Sequence, residues 1–111
     1  MRLTAQVTIA SGTTADFQSP GANFCPVGFE FPASIASTSF SLHVRRADGS
    51  TYALAYDSTN TALLSAVTIT ADRQYRIPAA TSALLRGDTI RVVMGASETT
   101  KTISVIWNEY V

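Results

Sequence analysis

Apolar and polar residues alternate strictly along Ser39 to Asp57, SFSLHVRRADGSTYALAYD, and the rhythm is interrupted only around Asp48-Gly49. Phe40, Leu42 and Val44 fall on one face, and Ser41, His43 and Arg45 on the other. Period 2 on both sides of an Asp-Gly pair predicts a β-hairpin, with the apolar face against a core. After the turn Tyr52, Leu54 and Tyr56 resume the rhythm and are expected to share that core.

The same pattern recurs along the chain. Leu3, Ala5, Val7 and Ile9 alternate with Thr4, Gln6 and Thr8, predicting a first strand over residues 3 to 10 that Ser11-Gly12 ends. Thr13 to Pro26 reads as a connection holding a short strand near Ala15 to Gln18. Val27, Phe29 and Phe31 alternate up to Pro32, which closes a second good strand. Beyond the hairpin, Ser58-Thr59-Asn60-Thr61 is turn chemistry. Strand spacing returns in Leu64 to Thr70 and in Gln74 to Ile77, whereas Ala79 to Leu85 fits one helical turn. Ile90, Val92 and Met94 point one way, as do Ile103, Val105 and Trp107 in the last strand. Seven to eight short strands punctuated by turns predict an all-β chain, an antiparallel β-sandwich of jelly-roll or Ig-like type. Residues 1–111 read as a single domain, able to bury roughly 65% of its unfolded surface.

Composition narrows the function classes. Charged residues make up 14% of the chain, against about 25% in an average protein. Ser, Thr and Ala take their place, which suits extended strands and surfaces that pack against neighbours. Eight basic and eight acidic residues cancel, so no overall field favours nucleic acid or an anionic membrane, and neither is expected as a partner. Seven of the eight basic residues are Arg, with Lys101 the exception; Arg favours partly desolvated, forked contacts, although a GC-rich genome produces the same bias. Cys25 stands alone, so it has no internal disulfide partner, and a buried small hydrophobe is its expected role. The opening MRLTAQVTIASG lacks the apolar run of a signal peptide and no stretch reaches the length of a membrane span, which points to assembly in the cytoplasm.

Candidate chemistry is sparse. His43 is the one histidine, set in mid-strand on the polar face, and reads as an exposed or interface residue. No G-x-S-x-G elbow, phosphate loop or D-x-D-x-D-G calcium run occurs. Asp57-Ser58-Thr59-Asn60 comes nearest to a metal loop but reads as a side-chain-bonded turn. No catalytic residues, cofactor or metal are expected. Arg45-Arg46 beside the turn, and Arg73 and Arg76 around Tyr75, are either solvated turn residues or forked contacts to a carboxylate on a neighbouring subunit. Phe29, Phe31, Phe40 and Trp107 are expected in the core, and Tyr110 as an exposed contact. The partner-interface candidates are therefore His43, Arg45, Arg46, Arg73, Arg76 and Tyr110.

The stretches VTIASGTT, PVGFEFPASIASTSFSLHVRRADGSTYALAYD, YRIPA and RVVMGASETTKTISVIW, in that order, resemble a group of small β-sandwich proteins encoded among the structural genes of tailed bacteriophages. Asp48-Gly49 and Tyr52 match the group's hairpin pattern; Arg45-Arg46 stands where such proteins carry an acidic or polar residue. The resemblance implies a non-enzymatic virion protein, foremost a capsid decoration or cement protein on the capsid surface. Its partners would be the major capsid protein or other virion proteins, and it would form a homo-oligomer, with a trimer one candidate. A neck or tail accessory protein and a carbohydrate- or receptor-binding module are the alternatives.

Overall fold

Nine strands and one helical turn are present in the described residues 1–110 of the computed structural model. In chain order they are β1 (Arg2–Ile9), β2 (Gly12–Phe17), β3 (Phe24–Glu30), β4 (Ser39–Arg45), β5 (Tyr52–Leu54), β6 (Val67–Thr68), β7 (Gln74–Arg76), α1 (Ala79–Leu84), β8 (Ile90–Glu98) and β9 (Lys101–Glu109). One sheet has the order β1-β9-β3-β7 and the other β2-β8-β4-β5, with β6 also pairing β4. Every pairing is antiparallel. The pairs β1/β9, β2/β8, β3/β7 and β4/β5 nest one inside the next, so the chain behaves as a long folded ribbon wrapped into two sheets. That is a jelly roll. The Ig-like alternative is excluded, because in an Ig fold the first two strands pair with each other in one sheet, whereas β1 and β2 here lie in opposite sheets.

The chain changes sheets at Ser11-Gly12, so this turn is a corner between layers rather than the end of an isolated strand. Thr13 to Pro26, expected to be a connection with a short strand near Ala15 to Gln18, supplies most of β2, which overlaps that strand, and also the start of β3. The polar Thr13 and Thr14 on β2 face solvent while Ala15 and Phe17 are buried. Pro26 sits inside the central strand β3, at the register shift between Pro26 and Gly28, where the ladder does not require its missing N–H.

Between the sheets lies the core expected from the alternation. Trp107, Phe17, Phe29, Phe40, Ile90, Val92, Ile103 and Val105 are fully buried. Phe40 on β4 is met from the other sheet by Phe29 and Tyr75, at ring-centroid distances of 5.3 and 5.5 Å in edge-on geometry. Such pairs add to simple burial because the ring edge is positive and the face negative. The Trp107 Nε1 has no hydrogen-bond partner among the described residues. α1 lacks a side-chain cap and is too short to stand alone; it is held by Leu85, which is fully buried, and by the Ser82 hydroxyl, which donates to the Pro26 carbonyl at 2.8 Å.

The hairpin corrects one expectation. Across it Val44 pairs with Ala53, His43 with Leu54 and Arg45 with Tyr52. Ala53 and Ala55 therefore point inward with Val44 and Leu42, and Tyr52, Leu54 and Tyr56 belong to the opposite, outer face. Tyr56 is 55% exposed. The apolar rhythm continues past the turn, but the link shifts it onto the other face, because an antiparallel connection of two or four residues pairs odd-numbered positions with even-numbered ones. The link itself runs through Arg46, whose N–H donates to the Thr51 carbonyl, and Gly49, whose N–H donates to the Arg46 carbonyl. Gly49 has φ 77°, a value that a residue with a Cβ adopts only at a cost.

Candidate functional site: the outer face of the five-stranded sheet

Because β4 is flanked by β5 and β8, its outward residues form the centre of a mostly polar face. One row across the sheet reads Asp16, Arg91, His43, Leu54. Below it Arg45 lies opposite Tyr52, and above it Ser41 lies opposite Val93, which faces Thr14. These side chains are organised. The Arg91 Nε donates to Asp16 Oδ1 at 2.6 Å and its Nη2 to Oδ2 at 3.0 Å, a forked pair. The same guanidinium lies 4.1 Å from the centroid of the Tyr52 ring. Arg45 donates to the Gln18 amide oxygen and to the Gly49 carbonyl. His43 is half-buried between Arg91 and Leu54.

At the end of this face the turn is braced by Asp48. Its carboxylate accepts from the Thr51 hydroxyl at 2.6 Å and from the backbone N–H groups of Ser50 and Thr51. Those bonds, the hydroxyl's foremost, pull its pKa down to about 2. Asp57 does the same for the next turn: Oδ1 accepts from the Thr59 hydroxyl and from the N–H groups of Thr59 and Thr61, and its pKa is lowered. The segment Asp57–Asn60 is thus a side-chain-bonded turn, as its residues predicted.

His43, Arg45 and Arg46 share one strand and its turn. Arg73 and Arg76 lie elsewhere, exposed at β7 on the edge of the four-stranded sheet; Arg73 borders a cavity of about 210 Å³ with Phe31, Ile69 and Tyr75. Tyr110 is at a third location, 42% exposed, against a cleft of about 200 Å³ formed with Cys25, Ala79, Ala83 and Arg86. Cys25 is buried there as expected, and burial lifts its thiol pKa above the usual value. The six candidates therefore form three separate groups. Asp16, Arg91, Tyr52 and Leu54 complete the face around His43 and Arg45, and sequence reading missed all four. For Tyr52 and Leu54 the parity of the hairpin was the available signal; for Asp16 and Arg91 there was none, since their strands pair only through the fold.

Glu98 is the other residue whose role the sequence hid. It is 2% exposed, and its carboxylate accepts from Ala36 N–H at 2.9 Å, Ser37 N–H at 2.7 Å and the Ser37 hydroxyl. Burial pushes its pKa up, but these bonds outweigh burial and hold the value below the usual one. Glu98 thereby fastens the small-residue loop before β4 to the end of β8. It shapes the sandwich and is remote in register from the His43 row.

The geometry defines a jelly-roll β-sandwich with an ordered polar and aromatic sheet face. No protein-family model matches the chain, and no curated protein matches it. Among solved structures, the fold is similar to that of SPBc2 prophage-derived protein YomS, with a TM-score of 0.50 at 12% identity over 97% of this chain and 96% of that one. A chain from Bacillus endospore appendages, described as disulfide-linked pili, gives a TM-score of 0.43 at 13% identity, over 100% of this chain and 90% of that one. No helix of the described residues is long and apolar enough to cross a membrane.

Proposed function

We propose that this chain is a structural protein of a tailed-phage virion, a capsid decoration or cement protein that binds neighbouring capsid subunits and stabilises the shell without catalysing a reaction. The observation that carries this reading is the end-to-end correspondence in fold with a prophage-derived protein, 97% of one chain on 96% of the other. The outer sheet face supports it. With Tyr52 and Leu54 among Arg45, His43 and Arg91, it has the aromatic and Arg content that protein interfaces favour. Arg45 and Arg46 match carboxylates on a capsid subunit, and Arg73, Arg76 and Tyr110 meet further virion subunits, including copies of this chain.

Capsids assembled without the protein provide the test. Purified chain is expected to co-sediment with them and raise the temperature at which they open. Charge reversal at Arg45 and Arg46, or Tyr52→Ala, is expected to weaken binding by about tenfold or more. Failure of the unaltered protein to bind overturns the reading, and full binding by these variants removes the face from it. An electron-microscopy map of the native particle that placed the chain at the neck or tail would replace the capsid assignment.

A further inference from the structure

A sheet ends in strands whose outer backbone groups are unpaired, and unless blunted they pair with another chain. Three of the four sheet edges here are blunted. β5 and β7 have three residues each, and β7 lies between Arg73 and Pro78. β2 is broken by a register shift between Gly12 and Thr14 and carries Asp16. β1 differs on every count. It runs for eight residues, in unbroken register with β9 from Arg2 opposite Asn108 to Ile9 opposite Lys101. It contains no Pro, Gly, Lys or acid, and its one charge is Arg2 at the end.

The phase of its free edge follows from one bond. The Glu109 N–H donates to the Met1 carbonyl at 2.9 Å, so Met1 and Glu109 are a hydrogen-bonded pair. By the alternation of an antiparallel ladder, Leu3, Ala5 and Val7 also turn their N–H and C=O toward β9, and Arg2, Thr4, Gln6 and Thr8 turn theirs away. Nothing among the described residues pairs with those outward groups.

We propose that β1 is a self-association edge, at which a second copy of this chain adds its own β1 antiparallel about a two-fold axis through Ala5. In this register Arg2 pairs with the partner's Thr8 and Thr4 with the partner's Gln6, so all four outward residues are hydrogen-bonded; a shift by two positions leaves Arg2 unpaired in one direction and Thr8 in the other. Leu3, 37% exposed although it points to the core side, comes opposite the partner's Val7. The Arg2 side chains are held at opposite ends of the pairing, so no like charges meet. The two four-stranded sheets become one continuous sheet. This pairing stands independently of the virion assignment.

Sedimentation of the full chain over a concentration series tests it. The expected result is a reversible dimer. Thr4→Pro deletes an outward N–H and spares the β9 ladder, and it is expected to weaken the dimer by about tenfold or more. The double variant Thr4→Lys with Gln6→Lys, which sets like charges opposite each other on the solvent face, is expected to do the same; it decides the matter if the proline variant fails to fold. Ala5→Cys, on the axis, is expected to cross-link under oxidation. A monomer at every concentration, a trimer, or a dimer indifferent to the Thr4 and Gln6 substitutions overturns the proposal; absence of the Ala5→Cys cross-link overturns the register.

Discussion

Arg91 on β8 and Tyr52 on β5 meet across the strand that separates them, with the guanidinium carbon 4.1 Å from the ring centroid. β4 lies between, so the stack roofs over the strand near His43 and Arg45, while Asp16 holds the guanidinium from the far side. A double-mutant cycle of Tyr52→Ala and Arg91→Ala, read by urea unfolding, is expected to give a coupling of about 0.5–1 kcal/mol, the range for a cation over an aromatic ring at an exposed site. Asp16→Asn is expected to cost less than about 1 kcal/mol, because the ion pair is solvent-screened.

Glu98 is expected to matter more, although it touches no proposed partner. Glu98→Ala leaves the Ala36 and Ser37 donors without their acceptor in a buried site, and a loss of about 3 kcal/mol in unfolding free energy is expected. Its folded pKa lies below the usual glutamate value. The stabilisation is therefore fully present above the unfolded pKa of about 4.3 and is lost as pH falls through the folded value. Wild-type stability should thus decline more steeply than that of Glu98→Gln on acidification below pH ~4, measured by denaturant unfolding at each pH.

The hairpin turn gives a purely conformational prediction. Gly49 has φ 77° and nothing within 4 Å of the position a Cβ would take, so Gly49→Ala meets backbone strain but no clash. A loss of about 1–2 kcal/mol is expected, with Gly49→Asn milder, as thermal unfolding would show. Asp48 beside it should titrate near the pKa of about 2 that its turn bonds impose, observable by carboxyl NMR.

Trp107 is fully buried with an unpaired indole N–H. Trp107→Phe removes that orphan donor along with part of the ring, so the two effects oppose and a loss under about 2 kcal/mol is expected. Trp107→Ala has no such offset and should cost about 3–5 kcal/mol. Chemical denaturation of the pair separates packing from the unpaired N–H.

Much of this was legible in the chain. Alternation placed Phe40, Leu42, Ile90, Val92, Ile103, Val105 and Trp107 in the core, and Asp48, Gly49 and Asp57 in turns, because period 2 and side-chain-to-backbone bonds are local properties. His43 and Arg45 were placed on the polar face for the same reason. Tyr52 and Leu54 were misplaced because a face is defined by pairing register, and the link at Asp48-Gly49 shifts parity between the two strands.

The sequence by itself determined most of the strands, the turns at Asp48-Gly49 and Asp57, most of the apolar core and the absence of a known catalytic motif, since each depends on residues a few positions apart. Tertiary structure alone decided the jelly-roll order, the meeting of Asp16, Arg91 and Tyr52, the burial of Glu98 and the bare edge at β1. These depend on strands far apart in the chain coming side by side, and the spacing of residues along any one strand carries no record of its neighbour.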